Sequence, residues 1–316
     1  MTKNTFKNYA LILISVIILS LISVLPLGVF TFLISAVLSA VIGYTITRHH
    51  YYFVGVVCLC AIAVFSLFSG DFLLSLTAAL PVLLCGISLG ISYNVKLSEF
   101  KTVSILTVIY ITNTLLNLRI SGVINQKSFE DMLFSAKDLY VDVLVSAYGN
   151  EIPSQEIESL VVNAFSVMMK FMPSMLIVLC VLIALLFFST FKKVLNITES
   201  DSSVFKSFSD WKADKSVSIT CIVITLFTFA FPQQGYLKDA LANVCVISFF
   251  IFYIFGLSFA SFLLKRKFKK PKAYKTIVVC LALLPVFSLG VPFFIISVLG
   301  ILDGIFNLRE KTKTVN

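Results

Sequence analysis

The sequence predicts an all-α fold, a polytopic transmembrane helical bundle of about ten spans with both termini in the cytoplasm. Of its 316 residues, 59% are hydrophobic and 13% are charged, whereas about a quarter of the residues in an ordinary soluble domain are charged. The mean hydropathy is +1.00. The apolar residues form runs of about 15 to 25 residues between short charged clusters, which is the pattern of membrane-spanning helices.

Eight apolar runs are clear spans, and Pro26 and Gly28 separate the first from the second. The eight runs cover residues 9–25, 29–47, 51–68, 72–93, 101–119, 171–191, 217–231 and 241–264. A last apolar stretch at 276–308 is too long for one ordinary span and contains two prolines and Gly290. It therefore predicts a hairpin of two short helices, which brings the number of spans to about ten.

Small residues at four-residue spacing predict close helix packing. Ser35, Ser39 and Gly43 follow this spacing in the second span, and Gly86 and Gly90 follow it in the fourth. Such residues let two helix backbones approach each other. The two motifs therefore indicate a compact bundle in this half of the chain.

The distribution of charge fixes the predicted orientation. The formal net charge is +9, but the basic residues lie in short loops between spans, which favours membrane orientation and lipid contact over nucleic-acid binding. With the amino terminus in the cytoplasm, all but five of the 25 Lys and Arg fall on the inner side. The exceptions are Arg119, Lys127, Lys137, Lys170 and Lys238.

Four parts follow from this arrangement. Residues 1–191 form a six-span bundle that includes an amphipathic extracytoplasmic insertion at 120–170, and residues 192–216 form a cytoplasmic loop with an interfacial helix. Residues 217–308 form a four-span region, and residues 309–316 are a cytoplasmic tail. The insertion carries two helical stripes of apolar residues, which predict helices over the mouth of the bundle or flat in the membrane interface.

Two groups of residues are predicted at the membrane interface. In the loop 192–216, Phe208 and Trp211 belong to a small apolar face beside several lysines, which indicates an interfacial helix with Trp211 at headgroup depth. Lys265, Arg266 and Lys267 end the eighth span and are expected to face the lipid bilayer. Docking of a protein partner is the alternative role for these basic residues.

The fifth span, 101–119, has a continuous polar edge. At about 100° per residue, five uncharged polar side chains fall within an arc of roughly 120°. They are Thr107, Tyr110, Asn113, Thr114 and Asn117. Because such groups are unfavourable against lipid, the edge is expected to face other helices or a cavity. Hydrogen bonding between helices and a solute pocket remain open, and Tyr110, Asn113 and Asn117 are the ligand-binding candidates.

Two charged residues near span ends complete the set of candidate ligand-binding residues. Arg119 lies at the outer end of the fifth span, where it either meets an anionic solute or extends to the interface. Asp303 lies within an otherwise apolar arm, and an acid near the membrane is a candidate functional residue. A structural ion pair with Arg309, six residues on, and a hydrated span end are the competing interpretations of Asp303.

The apolar segments hold almost none of the acids, bases, nucleophiles or metal ligands that catalysis requires. His49 and His50 are adjacent, so on a helix they diverge by about 100° and are poorly placed to share a metal. The seven cysteines lie in apolar segments without a CxxC motif or a His–Cys cluster, where they act as small hydrophobes. The sequence therefore predicts no enzymatic activity, no metal and no cofactor.

Two short motifs carry a family resemblance. The segment Phe208-Ser209-Asp210-Trp211-Lys212 just before a span, together with Gly300, Asp303, Gly304, Phe306, Leu308 and Arg309 near the end, resembles the YybS-like family of uncharacterised bacterial multi-pass membrane proteins. That family is distantly similar to the substrate-binding components of energy-coupling-factor transporters, whose core has six helices. The resemblance implies that spans one to six form such a core.

These observations lead to one expected function and one alternative. The leading expectation is a bacterial inner-membrane protein that binds a small solute between helices, as a transport-related component that works with an energising partner. Solute would enter from outside near Asn113, Asn117 and Arg119, with the amphipathic pair at 127–170 controlling access. The alternative is a scaffold or regulator whose basic loops dock membrane or cytoplasmic proteins.

Overall fold

The computed structural model describes residues 29–48, 63, 72–120, 126–148, 152–198, 205–230, 235–268, 271–287 and 290–314. Across these ranges the chain is almost entirely helical and contains no strand. The predicted all-α fold class is confirmed for the residues described. The predicted first span, 9–25, and nearly all of the third, 51–68, lie outside them.

The helices are numbered here in chain order. They are α1 (Val29–Thr47), α2 (Phe72–Asn94), α3 (Glu99–Ile120), α4 (Gln126–Tyr148), α5 (Ser154–Thr198), α6 (Lys215–Ala230), α7 (Tyr236–Lys267), α8 (Pro271–Phe287), α9 (Val291–Phe306) and α10 (Leu308–Thr314), with one 3₁₀ turn at Phe208–Asp210. The fifth predicted span corresponds to α3, the eighth to α7, and the C-terminal hairpin to α8 and α9.

Within the described ranges, three helices are long and apolar enough to cross a membrane, judged by length and composition. They are Glu99–Ile120, Ser154–Ile197 and Tyr236–Lys267. Shorter apolar helices accompany them at Phe32–Thr47, Ala79–Asn94, Lys215–Thr228, Ala273–Leu283 and Val291–Phe306. These features fit a helical membrane bundle, and the number of ten spans stays a prediction.

The predicted division of the last apolar stretch is confirmed. α8 ends at Phe287 and α9 begins at Val291, with Gly290 between them at a φ of 92°. That left-handed conformation is open to glycine at little steric cost. Proline near the start of α9 also suits the first helical turn, where a missing N–H breaks no intrahelical bond.

α5 is one helix of 45 residues, in which the second amphipathic run leads directly into the sixth span, with Pro173 inside. One local prediction needs correction. The interfacial helix predicted within 192–216 is wrong over residues 205–214, where the only helical element is the 3₁₀ turn at Phe208–Asp210. The Phe208 carbonyl accepts from the Trp211 N–H at 3.2 Å, which closes a single 3₁₀ turn. The carbonyls of Phe208 and Trp211 also lie 2.6 and 2.7 Å from the hydroxyl of Ser258, a partner outside the loop.

The chain separates into two compact units. Unit 1 consists of Met1–Phe165 and Leu179–Phe205, and unit 2 consists of Ser166–Val178 and Lys206–Asn316. The middle of α5 thus belongs to unit 2, whereas both of its ends belong to unit 1. The four-part organisation predicted from the sequence stays a prediction.

In unit 1, the small residues of α1 and α2 pack against each other. The Ser39 hydroxyl donates a hydrogen bond of 2.7 Å to the carbonyl of Val82. A methyl group on Gly90 would come within 2.7 Å of the carbonyl oxygen of Gly43, and one on Gly86 within 2.9 Å of that of Ser39. The two motifs identified separately in the sequence therefore form the two sides of one interface.

In unit 2, α7 and α9 make a second close contact through glycines. Gly256 lies directly against the main chain of Ile296, and Gly300 lies against the carbonyl of Phe252. The Ser297 hydroxyl is 3.0 Å from the carbonyl of Phe249, which adds a polar contact between the two helices. This contact holds α9 on α7.

Candidate functional site

The polar edge of α3 is buried inside unit 1. Thr107, Tyr110 and Asn113 are 9, 7 and 8% exposed, whereas Val108 and Leu116 on the apolar side are 61 and 41% exposed. The expectation that this edge faces other helices or a cavity is therefore confirmed by its burial. The exposed apolar side has the character of a surface in contact with lipid.

The C-terminal half of α5 supplies the partners of this edge. The ring of Tyr110 meets the ring of Phe187 edge-on, with centroids 5.2 Å apart. The Thr114 hydroxyl lies 3.9 Å from the sulfur of Cys180. Thr107, in contrast, donates to the carbonyl of Val103 on its own helix, at 2.9 Å. Tyr110 and Thr114 thus connect α3 to α5.

Asn113 stands apart from its neighbours on the edge. Its Oδ1 atom is fully buried, and no hydrogen-bond donor lies within reach of it among the described residues. A buried acceptor without a donor costs about 1–3 kcal/mol, and such groups are uncommon in folded proteins. Among the described residues, Asn113 is therefore the position on this edge where a buried acceptor is left open to a further donor.

The other predicted ligand residues lie at different depths. Asn117 is half-buried one turn beyond Asn113, and Arg119 is exposed in the last turn of α3. Arg119 is about 9 Å along the helix axis from Asn113. The structure therefore aligns Tyr110, Asn113 and Asn117 along one helix, with Arg119 at its end. Asp303 belongs to unit 2 and takes part in a separate cluster.

Asp303 forms a buried ion pair with Arg309. The two residues are 2 and 7% exposed. The Arg309 Nε donates to Asp303 Oδ2 at 2.7 Å, and the Arg309 backbone N–H donates to Oδ1 at 3.3 Å. The structure thus shows the ion pair that the six-residue spacing suggested, and both carboxylate oxygens are occupied by Arg309.

The end of α9 explains how this pair forms. Asn307 adopts a left-handed conformation, with φ 51° and ψ 47°, and its N–H donates to the carbonyl of Asp303 at 3.0 Å. Asparagine tolerates this conformation better than most residues do. The helix stops there and α10 begins at Leu308. The change of direction returns Arg309 to the last turn of α9.

Arg309 also connects three separate segments of unit 2. Its guanidinium donates to the carbonyl of Ser209 and, at 3.1 Å, to the hydroxyl oxygen of Ser258. The rings of Phe259 and Phe262 flank it, with centroids 5.7 and 5.6 Å from Cζ. The guanidinium is therefore paired, hydrogen-bonded and in contact with aromatic rings, as a buried charge requires.

This network joins the two motifs on which the family resemblance depends. Ser209 belongs to the motif at 208–212, and Arg309 belongs to the motif at 300–309. Sequence reasoning missed Ser258, which links them, because one serine in an apolar helix carries no distinctive signal. Every guanidinium nitrogen of Arg309 has a partner. The cluster therefore holds unit 2 together and offers little to a ligand.

The residues predicted at the membrane interface differ in exposure. Lys265, Arg266 and Lys267 are exposed in the last turn of α7. Phe208 packs against the buried cluster of Tyr253, Leu257 and Ile296, and Trp211 packs against the cluster that contains Phe252 and Ile301. The two aromatic residues thus contribute to the interior of unit 2. Their depth in a membrane stays a prediction.

No metal site is evident in the described ranges, where no group of three or more His, Cys, Asp and Glu is close enough to hold an ion. The cysteines described there are free thiols. A shallow, open depression of about 330 Å³ lies on the first turns of α5, lined by Gln155, Glu158, Ser159, Val162 and Asn163. Its openness makes it poorly suited to retaining a small molecule.

An all-helical fold with apolar helices of membrane length defines the class, a helical integral membrane protein. The chain belongs to the family described as predicted membrane protein (DUF2232), whose model matches residues 6–304. No curated protein and no solved structure is significantly similar to the chain. The family and the helices thus agree on a membrane protein.

Proposed function

We propose that the protein binds a small polar solute at the buried edge of α3 and serves as a transport-related membrane component without enzymatic chemistry. The observation that carries this proposal is the buried Oδ1 of Asn113, which has no donor among the described residues. A bound molecule with a hydroxyl or amide N–H would satisfy this acceptor.

The surroundings of Asn113 favour an uncharged solute. No Asp, Glu, Lys, Arg or His lies between Lys101 and Arg119 in α3, or between residues 171 and 191 of α5. A charged molecule at this depth would lose its hydration without gaining a partner of opposite charge. The rings of Tyr110 and Phe187 offer an apolar wall for the body of the solute. The favoured ligand therefore combines a hydrogen-bond donor with an apolar part.

The competing interpretation is that the edge only joins helices. Thr114 supports it, since its hydroxyl lies 3.9 Å from the sulfur of Cys180 on α5, whereas the Thr107 hydroxyl bonds within α3. Asn113 is not accounted for by it, because helix contacts among the described residues leave its buried Oδ1 without a donor. The edge therefore combines helix contacts with one position that a ligand would complete.

The proposal also specifies that the solute is taken up from outside the cell. The predicted orientation places Arg119 at the outer end of α3, where solute would first meet the edge. The resemblance to the YybS-like family, and through it to the substrate-binding components of energy-coupling-factor transporters, supports a partner that supplies energy. The predicted bacterial inner membrane is the location that this role requires.

Native mass spectrometry of the full chain, purified in lipid nanodiscs, tests the solute site. We expect a small molecule to be retained by the natural protein and lost from an Asn113→Leu/Asn117→Leu variant. Thr112→Leu is the matched control, because Thr112 is exposed on the same helix, and it should keep the molecule. Equal retention by all three proteins, or none in any, would contradict the proposal.

A scaffold or regulator remains the second candidate, supported by the exposed basic end of α7 at Lys265, Arg266 and Lys267. These residues suit contact with an acidic protein or with lipid headgroups. A stable protein partner that co-purifies, and is lost when all three are replaced by Glu, would favour this role. Retention of a solute without such a partner would count against it.

A further inference from the structure

The middle of α5 departs from a regular helix at Pro173. Proline has no N–H, so it cannot donate the usual bond to the carbonyl of Met169, and its ring crowds that carbonyl. The next residue, Ser174, also lacks its usual helical hydrogen bond. Ser174 would donate to the carbonyl of Lys170 in a regular helix, but in unit 2 its N–H points to another helix.

The side chain of Asn243 on α7 replaces the missing backbone bond. The Ser174 N–H donates to Asn243 Oδ1 at 3.0 Å, and Asn243 Nδ2 donates to the carbonyl of Lys170 at 2.8 Å. The amide thus lies between a donor and an acceptor that would normally bond to each other. We call this arrangement the Asn243 bridge. Insertion of a side chain into the helical ladder is a recognised cause of helix bending.

The Asn243 bridge is well determined by its neighbours. Asn243 is 9% exposed, and its Nδ2 also donates to the carbonyl of Asp239 at 2.8 Å. Reversing the amide would set its NH₂ group against the Ser174 N–H and leave two carbonyls facing an oxygen. The amide is therefore satisfied in one orientation only, in contrast to that of Asn113.

An ion pair lies beside the bridge. Lys170 Nζ is 2.5 Å from Asp239 Oδ1, and the two side chains are 37 and 45% exposed. A pair this open to water is weak and becomes weaker as salt is added. The same stretch of α5 is thus joined to α7 by one buried amide and by one exposed pair of charges.

We propose that the Asn243 bridge is a hinge about which the amphipathic part of α5, residues 154–170, moves, and that the Lys170–Asp239 ion pair holds it in one position. The inference rests on the proposed function, because the movement would regulate access to the polar edge of α3. The bridge lets the helix bend while Ser174 N–H and the Lys170 carbonyl keep their partners. Cys180 and Phe187, which contact that edge, lie on the same helix beyond the hinge.

Pulsed electron paramagnetic resonance on the full chain in nanodiscs tests the hinge. Spin labels at Glu158→Cys and Leu115→Cys, both exposed positions of unit 1, report the distance between α5 and α3, with the native cysteines replaced by Ser. Lys170→Gln should increase a second distance population by up to about fivefold, the range expected for losing an exposed ion pair. Raising NaCl should do the same in the natural sequence and little in Lys170→Gln.

Two further variants complete the experiment. Lys193→Gln removes an exposed charge from the same helix and should leave the distances unchanged. Adding Asn243→Leu to Lys170→Gln should return the second population to its original level, because the bend loses the group that stabilises it. If the double variant does not fold, the comparison of Lys170→Gln with Lys193→Gln decides. Identical distances in those two proteins would overturn the hinge.

Solute retention is read separately by native mass spectrometry on the same samples. Faster loss of the retained molecule from Lys170→Gln than from Lys193→Gln supports regulation of the site. A change in distance without a change in retention overturns the regulation and leaves solute binding intact. No retained molecule in any protein overturns the solute site and the regulation with it, whatever the distances show.

Discussion

Arg309 connects more of the described structure of unit 2 than its position near the chain end suggests. It is paired with Asp303 on α9, and it contacts Ser209 in the loop before α6 and Ser258 on α7. A buried ion pair contributes modestly as a pair, yet the loss of one partner leaves an uncompensated charge in a medium of low polarity. Arg309 is therefore important mainly because its removal would leave the Asp303 carboxylate buried without a partner.

Replacing Arg309 alone should be strongly destabilising. Arg309→Met leaves the carboxylate of Asp303 buried without its partner, so we expect a loss of about 3–5 kcal/mol in the free energy of unfolding. The double variant Asp303→Leu/Arg309→Met should recover much of this loss. Thermal unfolding in nanodiscs measures the effect, with Arg266→Met as the control for an exposed arginine near the same Phe262 ring. Equal unfolding temperatures for Arg309→Met and Arg266→Met would contradict this assignment.

Residue-level prediction succeeded where the partners are close in sequence. The separation of six positions between Asp303 and Arg309 was enough to suggest an ion pair, because both lie near one helix end. Ser258 and Ser209 could not be predicted as its partners, since they come from segments about 50 and 100 residues away. The unsatisfied Oδ1 of Asn113 was likewise beyond the sequence, which shows a polar edge but not which of its groups lack partners.

Among the helices, α1 and α2 show how small residues determine packing. Gly86 and Gly90 face Ser39, Gly43 and Ile46 so closely that a side chain has no room. The spacing of these residues predicted close packing within the bundle, because small residues are what such a contact requires. The sequence did not reveal that the two motifs face each other.

A large residue in this interface should force α1 and α2 apart. Gly90→Leu would set a side chain against the carbonyl of Gly43, 2.7 Å from the first added carbon, and overpacking typically costs about 1–3 kcal/mol or more. We expect a clearly lower unfolding temperature, measured by the same thermal unfolding. Leu84→Phe, which enlarges an exposed residue of α2, should change it little. A Gly90→Leu protein as stable as Leu84→Phe would rule out the contact.

α5 and the loop before α6 show the limits of local patterns. Pro173 disturbs the regular helical ladder of α5, and Asn243, about 70 residues away, bonds to the Ser174 N–H and to the carbonyl of Lys170. The apolar face around Phe208 and Trp211 suggested a helix, yet the segment closes only one 3₁₀ turn, and the carbonyls of both residues lie against the hydroxyl of Ser258. In both cases one polar side chain of α7 contacts the backbone of a distant segment, which a local pattern does not reveal.

At the scale of the whole molecule, composition and family agree. Few charges, long apolar runs and the family match over residues 6–304 all describe a membrane protein. Charge placement predicts an orientation, with the insertion at 120–170 outside and the basic end of α7 inside. The proposed solute site depends on this orientation, because Arg119 and the amphipathic part of α5 must face the outside for solute to enter there.

Thiol labelling in intact bacterial cells tests this orientation directly. Tyr148→Cys and Lys267→Cys, each in a protein whose native cysteines are replaced by Ser, place one exposed thiol in the insertion and one at the end of α7. With a maleimide that does not cross the inner membrane, Tyr148→Cys should react in intact cells, and Lys267→Cys only after the membrane is disrupted. The reverse pattern would place the proposed entrance in the cytoplasm and contradict uptake of a solute at the polar edge of α3.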